Sequence, residues 1–229
     1  MIQKGNKIHP TAIIEGKVEL GEGNEIGPYS VLYGPLELGN GNWIGPHVTI
    51  GTPGQDTRNP RYDSSNARVQ IGNNNIIREY TAIQKPCYRD LTKIGDRVFL
   101  MQSVHVPHDA VIHDDVVITP MVVMGGIVRV LAGANLAVGC SVHQYSVIGH
   151  YSIVAMGAAL TKNIRPFSKY VPGKPISVND YAIEKYAFGN VRDEIYAYLL
   201  DGIKPTDERL LQIVEEFESL STESGRLVY

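Results

Sequence analysis

Five of the seven histidines in this chain fall between residues 105 and 150: His105, His108, His113, His143 and His150. A neutral imidazole is a general base matched to pH 7. Such a base works with an N–H donor where an oxyanion develops, and with polar groups that orient a ligand. Gly126 and Gln144 are candidates for those roles, a glycine leaving its N–H accessible and a glutamine offering hydrogen bonds. They lie eighteen and thirty-six residues beyond His108, so they join it only if the chain stacks them.

A period of six residues supplies that stacking. Aliphatic residues occupy every sixth position from Ile94 through Leu100, Val106, Ile112, Ile118, Met124, Val130, Leu136, Val142, Ile148 and Val154 to Leu160. The same period runs from Ile8 to Ile50, and again through Ile71, Ile77 and Ile83. Helices repeat at 3.6 and strands at 2; six is the repeat of hexapeptide β-helices. Three hexads make one triangular coil of eighteen residues. Residues i and i+18 then lie about 4.8 Å apart, the spacing of adjacent strands. His108, Gly126 and Gln144 therefore form one outer column, with His143 beside its top and His105 one turn away at its foot. Glycine often follows the aliphatic position, as at Gly27, Gly95 and Gly149, where a tight turn favours it.

The expected organisation is a mainly β parallel β-helix over residues 1–165, then a connector and small helical region over 166–229. Two segments break the phase, at 51–68 and 84–93. Both are expected to leave the prism as loops, which commonly carry binding residues. Helical patterns run from Tyr181 to Leu200 and from Glu208 to Leu220, the latter with Thr206 as N-cap, leaving Ser221–Tyr229 as a loose end. A formal charge of −3 gives no case for nucleic-acid binding. Neither a signal peptide nor a membrane span is expected. Cys87 and Cys140 read as unbridged thiols of a cytoplasmic protein.

Zinc is the rival chemistry for these histidines. Gamma-class carbonic anhydrases share the β-helix and use a His-x4-His pair plus a histidine two coils earlier. His108 and His113 have the pair spacing, but two steps of eighteen below His108 fall on Gly72, where the third ligand is lacking.

The segments LMQSVHVPHDAVI (100–112), SVHQYSVIG (141–149), IIREYTAI (76–83) and IHPTAIIE (8–15) resemble the UDP-N-acetylglucosamine acyltransferases, which begin lipid A synthesis. The resemblance covers nearly the whole chain. It implies a left-handed β-helix, a homotrimer with active sites between prisms, and no bound cofactor. The co-substrate would be the phosphopantetheine thioester of acyl carrier protein, or acyl-coenzyme A. By motif, His108 matches the general base and Gly126 the oxyanion donor, with Asp109 a possible partner of the imidazole. His105, His143 and Gln144 match sugar-nucleotide or acyl contacts. Asp56 and Arg58 fall where the family contacts the acceptor sugar, Arg58 standing for a lysine. Met156 matches the position that limits acyl length, methionine shortening the chain accepted.

Several positions depart from the pattern. Ile127 and Gln84 stand where the family has histidines, Tyr145 stands for phenylalanine, and the basic pair of the tail is reduced to Lys185 followed by Tyr186. VPGKP (171–175) resembles the exit loop of coenzyme A-dependent acetyltransferases. Lys162, Arg165, Lys169 and Lys174 form a basic stretch suited to acyl carrier protein or coenzyme A phosphates. The expected activity is transfer of a short to medium 3-hydroxyacyl group to a hydroxyl of a UDP-N-acetylglucosamine-like nucleotide sugar. Two alternatives stand beside it: N-acylation of an amino-sugar nucleotide, and a non-catalytic β-helical binding module.

Overall fold

The computed structural model describes residues 5–56 and 67–229. Short parallel strands stack into three sheets of ten, eight and seven strands among these residues, forming the faces of a left-handed parallel β-helix. The inward positions carry the hexad aliphatics, and Ile44, Ile83, Val106, Ile118, Leu136 and Val154 are all fully buried. One continuous apolar core therefore runs the length of the prism. Burial of this kind contributes roughly 1.5–3 kcal/mol for each large aliphatic side chain.

From residue 103 to 157 each corner turns on a residue with left-handed backbone. Ser103, Asp109, Asp115, Met121, Ile127, Gly133, Gly139, Tyr145, Tyr151 and Gly157 all have φ near +60° and are spaced six apart. Apart from Gly51 (φ +85°), the glycines that follow the inward aliphatics are not the turning residues. They permit close approach of the next coil: a Cβ on Gly149 would lie 2.4 Å from Pro166 N. This corrects the turn role expected for them.

The two interruptions change the coil length. Ile50 pairs with Ile83, an offset of 33, and Ile83 with Val106, an offset of 23. Counting by eighteen therefore fails across them. Gly72 does not lie beneath His108: its N–H donates to Ile94 O, and Gly95 N–H to Ile112 O, so Gly72 stacks under Gly95 and His113. The second interruption is also shorter than expected, since Ala82–Gln84 and Leu91–Ile94 are strands. Of the first, Gly51 and Thr52 extend the strand Thr49–Thr52, and residues 57–66 lie outside those described.

The parallel stack continues past residue 165, with Ser168–Tyr170 pairing beside Ile153–Val154. Ser177–Val178 then closes that sheet antiparallel. The expected 181–200 helix is broken into α1 (Asp180–Lys185) and α2 (Arg192–Tyr196), because Ala187 adopts φ +57° and ends the first run. The last helix, α3 (Glu208–Ser224), is capped by Asp207, which accepts from Leu210 N, rather than by Thr206. It packs Phe217 against Leu131 and Val147 of the prism. The end of the chain is docked, not loose: Asn163 N–H donates to Leu227 O and Tyr229 N–H to Asn163 O.

Candidate active site

His108 occupies a corner between the inward Val106 and the left-handed Asp109. Its Nδ1 lies 2.7 Å from Asp109 Oδ2. Asp109 is fully buried, and its carboxylate also accepts from the backbone N–H of Cys87, Tyr88 and Arg89 at 2.6–3.2 Å. Burial pushes this carboxyl upward, but the His108 bond and the three amides outweigh it and hold it below its ordinary range. An ionised Asp109 fixes the proton on His108 Nδ1, which leaves Nε2 as the basic nitrogen. The main chain of Asp109 is held as well. Its N–H donates to Thr92 Oγ1 and its carbonyl accepts from the buried Arg129.

Gly126 lies directly above the imidazole. A Cβ at this position would come within 2.2 Å of His108 Cε1 and 2.3 Å of Nε2, so any other residue here would displace the ring. The neighbouring amides are engaged, Gly125 N–H with Val142 O and Ile127 N–H with His108 O. Gly126 N–H makes no backbone hydrogen bond among the described residues. Ile127, a β-branched residue at φ +64°, holds a conformation that typically costs about 1–3 kcal/mol.

The surrounding cleft, about 320 Å³, is lined by Gln55, Asp56, Gln84, His105, His108, Gly126 and Gln144, among others. Two phase-breaking segments meet over it. Tyr88 Oη donates to Asp56 Oδ2 at 2.6 Å, and Gln55 N–H to Gln84 Oε1 at 3.3 Å. Gly54 is pressed against Cys87 and His108, where a Cβ would lie 2.3 Å from Sγ. His105, expected to project outward, is half-buried, and both ring nitrogens are enclosed without a well-formed hydrogen bond among the described residues. Burial pushes its pKa down, so it faces the cleft as a neutral imidazole.

Thus the cleft brings together Asp56, Gln84, His105, His108, Gly126 and Gln144 from the sequence reading. His143 is exposed beside Gln144, where it meets Arg226. Met156 is three-quarters exposed and outside the cleft of a single chain. Lys185 stands on α1, its ammonium 4.8 Å from the Tyr186 ring, also outside the cleft. Arg58 lies outside the described residues. Tyr88, Arg129 and Arg226 were not anticipated; they lie in an interruption, on an outward strand position and in the tail, where the hexad gives no signal.

His113 does not converge with His108. It faces Glu216 and His150 under α3, so the His-x4-His spacing does not form a shared ligand set. The potential ligand atoms that do cluster, on Cys87, His108 and Asp109, lie within 4.8 Å of one another. Their Asp109 carboxylate is already filled by His108 and the three amides. A larger groove, about 620 Å³, edges the seven-stranded sheet with Glu19, Glu37, Asp96 and Asp114. Its lining holds no histidine to act as base.

Residues 91–126 match the bacterial transferase hexapeptide (six repeats) family. The chain is 30% identical over 181 residues to acyl-(acyl-carrier-protein)–UDP-N-acetylglucosamine O-acyltransferase of Alkalilimnicola ehrlichii, covering 76% of this chain and 69% of that one. It is 35% identical over 180 residues to the protein of the same name from Synechocystis, covering 78% and 62%. The structure superposes on Francisella novicida UDP-N-acetylglucosamine acyltransferase with a TM-score of 0.71 at 21% identity, covering 96% of this chain and 87% of that one. No helix among the described residues is long and apolar enough to cross a membrane. The chain belongs to the family of acyl-(acyl-carrier-protein)–UDP-N-acetylglucosamine O-acyltransferases.

Proposed function

We propose that this protein transfers a 3-hydroxyacyl group from acyl carrier protein to a hydroxyl of UDP-N-acetylglucosamine, the first step of lipid A synthesis, with His108 as general base. One observation carries the assignment of roles: the Asp109-bound imidazole lies flush against the main chain of Gly126. His108 Nε2 takes the proton of the acceptor hydroxyl as its oxygen attacks the thioester carbonyl carbon. Negative charge develops on the carbonyl oxygen, which Gly126 N–H stabilises. Collapse of the tetrahedral intermediate breaks the carbon–sulfur bond, and the imidazolium returns its proton to the departing thiolate.

Asp56, Gln84, His105 and Gln144 supply hydrogen-bonding groups around that centre, and Asp56 is the acceptor-sugar contact in this reading. The relatives' names specify O-acylation, which favours a hydroxyl over an amino acceptor. Exposed apolar side chains, among them Ile13, Ile76, Tyr80, Val123, Val138 and Met156, support association of prisms into a homotrimer. Met156 would then stand where a neighbouring prism meets the acyl chain, and Lys185 would reach a nucleotide across the same boundary. The test is thiol release from acyl carrier protein and coenzyme A thioesters of varied length, with UDP-sugars bearing a 3-hydroxyl or a 3-amino group. Consumption of the carrier-protein thioester with UDP-N-acetylglucosamine supports the proposal. Nucleotide-sugar binding without thiol release would favour a binding module. Solution mass reads the subunit count.

A further inference from the structure

The catalytic column ends at Gln144, and its last rung is supplied from outside the β-helix. At the corners from Asp115 to Gly157 the left-handed residue donates a backbone hydrogen bond to the coil below. Ile127 N–H donates to His108 O, and Tyr145 N–H to Gly126 O. The next donor in that series would be Asn163 N–H to Gln144 O. Asn163 N–H is diverted to Leu227 O in the C-terminal tail, and the Gln144 carbonyl is met by Arg226 Nε instead.

The same guanidinium donates Nη1–H to Thr161 O at 2.9 Å and Nη2–H to His143 Nδ1. Arginine is a donor only, so His143 Nδ1 must accept. The ring proton then sits on Nε2. The 3.3 Å approach of Nδ1 to Gln144 O is accordingly not a hydrogen bond, because both atoms are acceptors. Three acceptors in fixed directions are met by one planar fork, which a lysine cannot reproduce. The tail is anchored independently of this fork. Asn163 Nδ2 donates to Ser221 Oγ and Ser224 Oγ, and Tyr229 packs on Tyr170 with Lys162 over its ring.

We propose that Arg226 is a positioning residue for acyl transfer: it completes the corner ladder at Gln144 and fixes the His143 tautomer. Gln144 then holds its place in the cleft above Gly126. His143 presents an Nε2–H donor to an oxygen acceptor of the substrate, a phosphate or carbonyl oxygen. This claim rests on the proposed acyl-transfer reading for its kinetic test.

The experiment compares wild type with Arg226→Ala, Arg226→Lys, His143→Ala and the Arg226→Ala/His143→Ala double variant. It reads kcat, KM for both substrates, melting temperature and affinity for UDP-N-acetylglucosamine. Arg226→Ala is expected to lower kcat/KM about tenfold, mainly through KM, with Arg226→Lys restoring only part. The double variant is expected to be no worse than the poorer single variant, because the two residues act as one unit. Wild-type kinetics in Arg226→Ala, or losses that multiply in the double variant, would overturn the proposal. Should Arg226→Ala not melt cooperatively, Arg226→Lys decides: impaired kinetics at wild-type melting temperature supports it, and unchanged kinetics refutes it. If the wild type releases no thiol, the acyl-transfer reading fails by itself. The claim for Arg226 then stands or falls on whether its variants weaken nucleotide-sugar binding.

Discussion

The Tyr88 hydroxyl donates a 2.6 Å hydrogen bond to Asp56 Oδ2, joining the two segments that interrupt the hexapeptide repeat. The Tyr88 ring also lies 5.9 Å from the His108 ring, and its backbone N–H holds Asp109. The described parts of the two interruptions thus meet over His108.

Tyr88→Phe removes the hydroxyl while keeping the ring. A hydrogen bond of this kind contributes about 0.5–1.5 kcal/mol, so KM for the nucleotide sugar should rise roughly three- to tenfold with kcat little changed. Steady-state kinetics at saturating thioester checks this. An unchanged KM would remove Asp56 from the acceptor site.

Gly126→Ala places a methyl group 2.2 Å from His108 Cε1, and the imidazole must move. Loss of alignment with the base and oxyanion donor should lower kcat by about 10²–10³. Melting temperature, measured on the same sample, should change far less than it does for a core truncation. A kcat near wild type would show that the ring does not need its present place.

Met156→Gly should extend the acyl chains accepted. The preference for longer over shorter 3-hydroxyacyl donors, read as a ratio of kcat/KM, should rise about tenfold or more, the discrimination a few methylenes provide. An unaltered chain-length profile would separate Met156 from the acyl site.

Acid should loosen α3 from the prism. Burial pushes His113 below the ordinary histidine value, opposed in part by Glu216. The His150 hydrogen bond, opposed by burial and aided by the charges of both histidines, holds Glu216 below the usual carboxylate range. Both shifts are downward, so the unfolded chain binds more protons at each group as pH falls. The His113 contribution is complete above about pH 6.5 and declines below it; that of Glu216 declines below about pH 4.3. Wild-type melting temperature should therefore fall between pH 7.5 and 5.5, and His113→Gln should flatten that slope. Parallel curves for the two proteins would contradict it.

The β-helix and its column were legible because inward positions must be aliphatic and one coil above the interruptions is eighteen residues long. His108, Gly126 and Gln144 follow from that ruler alone. Across the interruptions the ruler fails, since offsets of 33 and 23 depend on how many residues each interruption inserts between inward positions. That is why Gly72 stacks under His113 instead of His108. The support of Asp109 was also hidden. Cys87, Tyr88 and Arg89 contribute backbone N–H groups, which any residue but proline could donate. The docking of the tail depends on Asn163 turning its amide away from the coil ladder, a choice with no hexad signature.

The central claim is that His108 is the base. Thiol release from the acyl carrier protein thioester with UDP-N-acetylglucosamine, compared between wild type and His108→Ala of equal melting temperature, tests it most directly. The account predicts a fall in kcat of about 10²–10⁴, the usual contribution of a general base. A His108→Ala enzyme that turns over at the wild-type rate would contradict it.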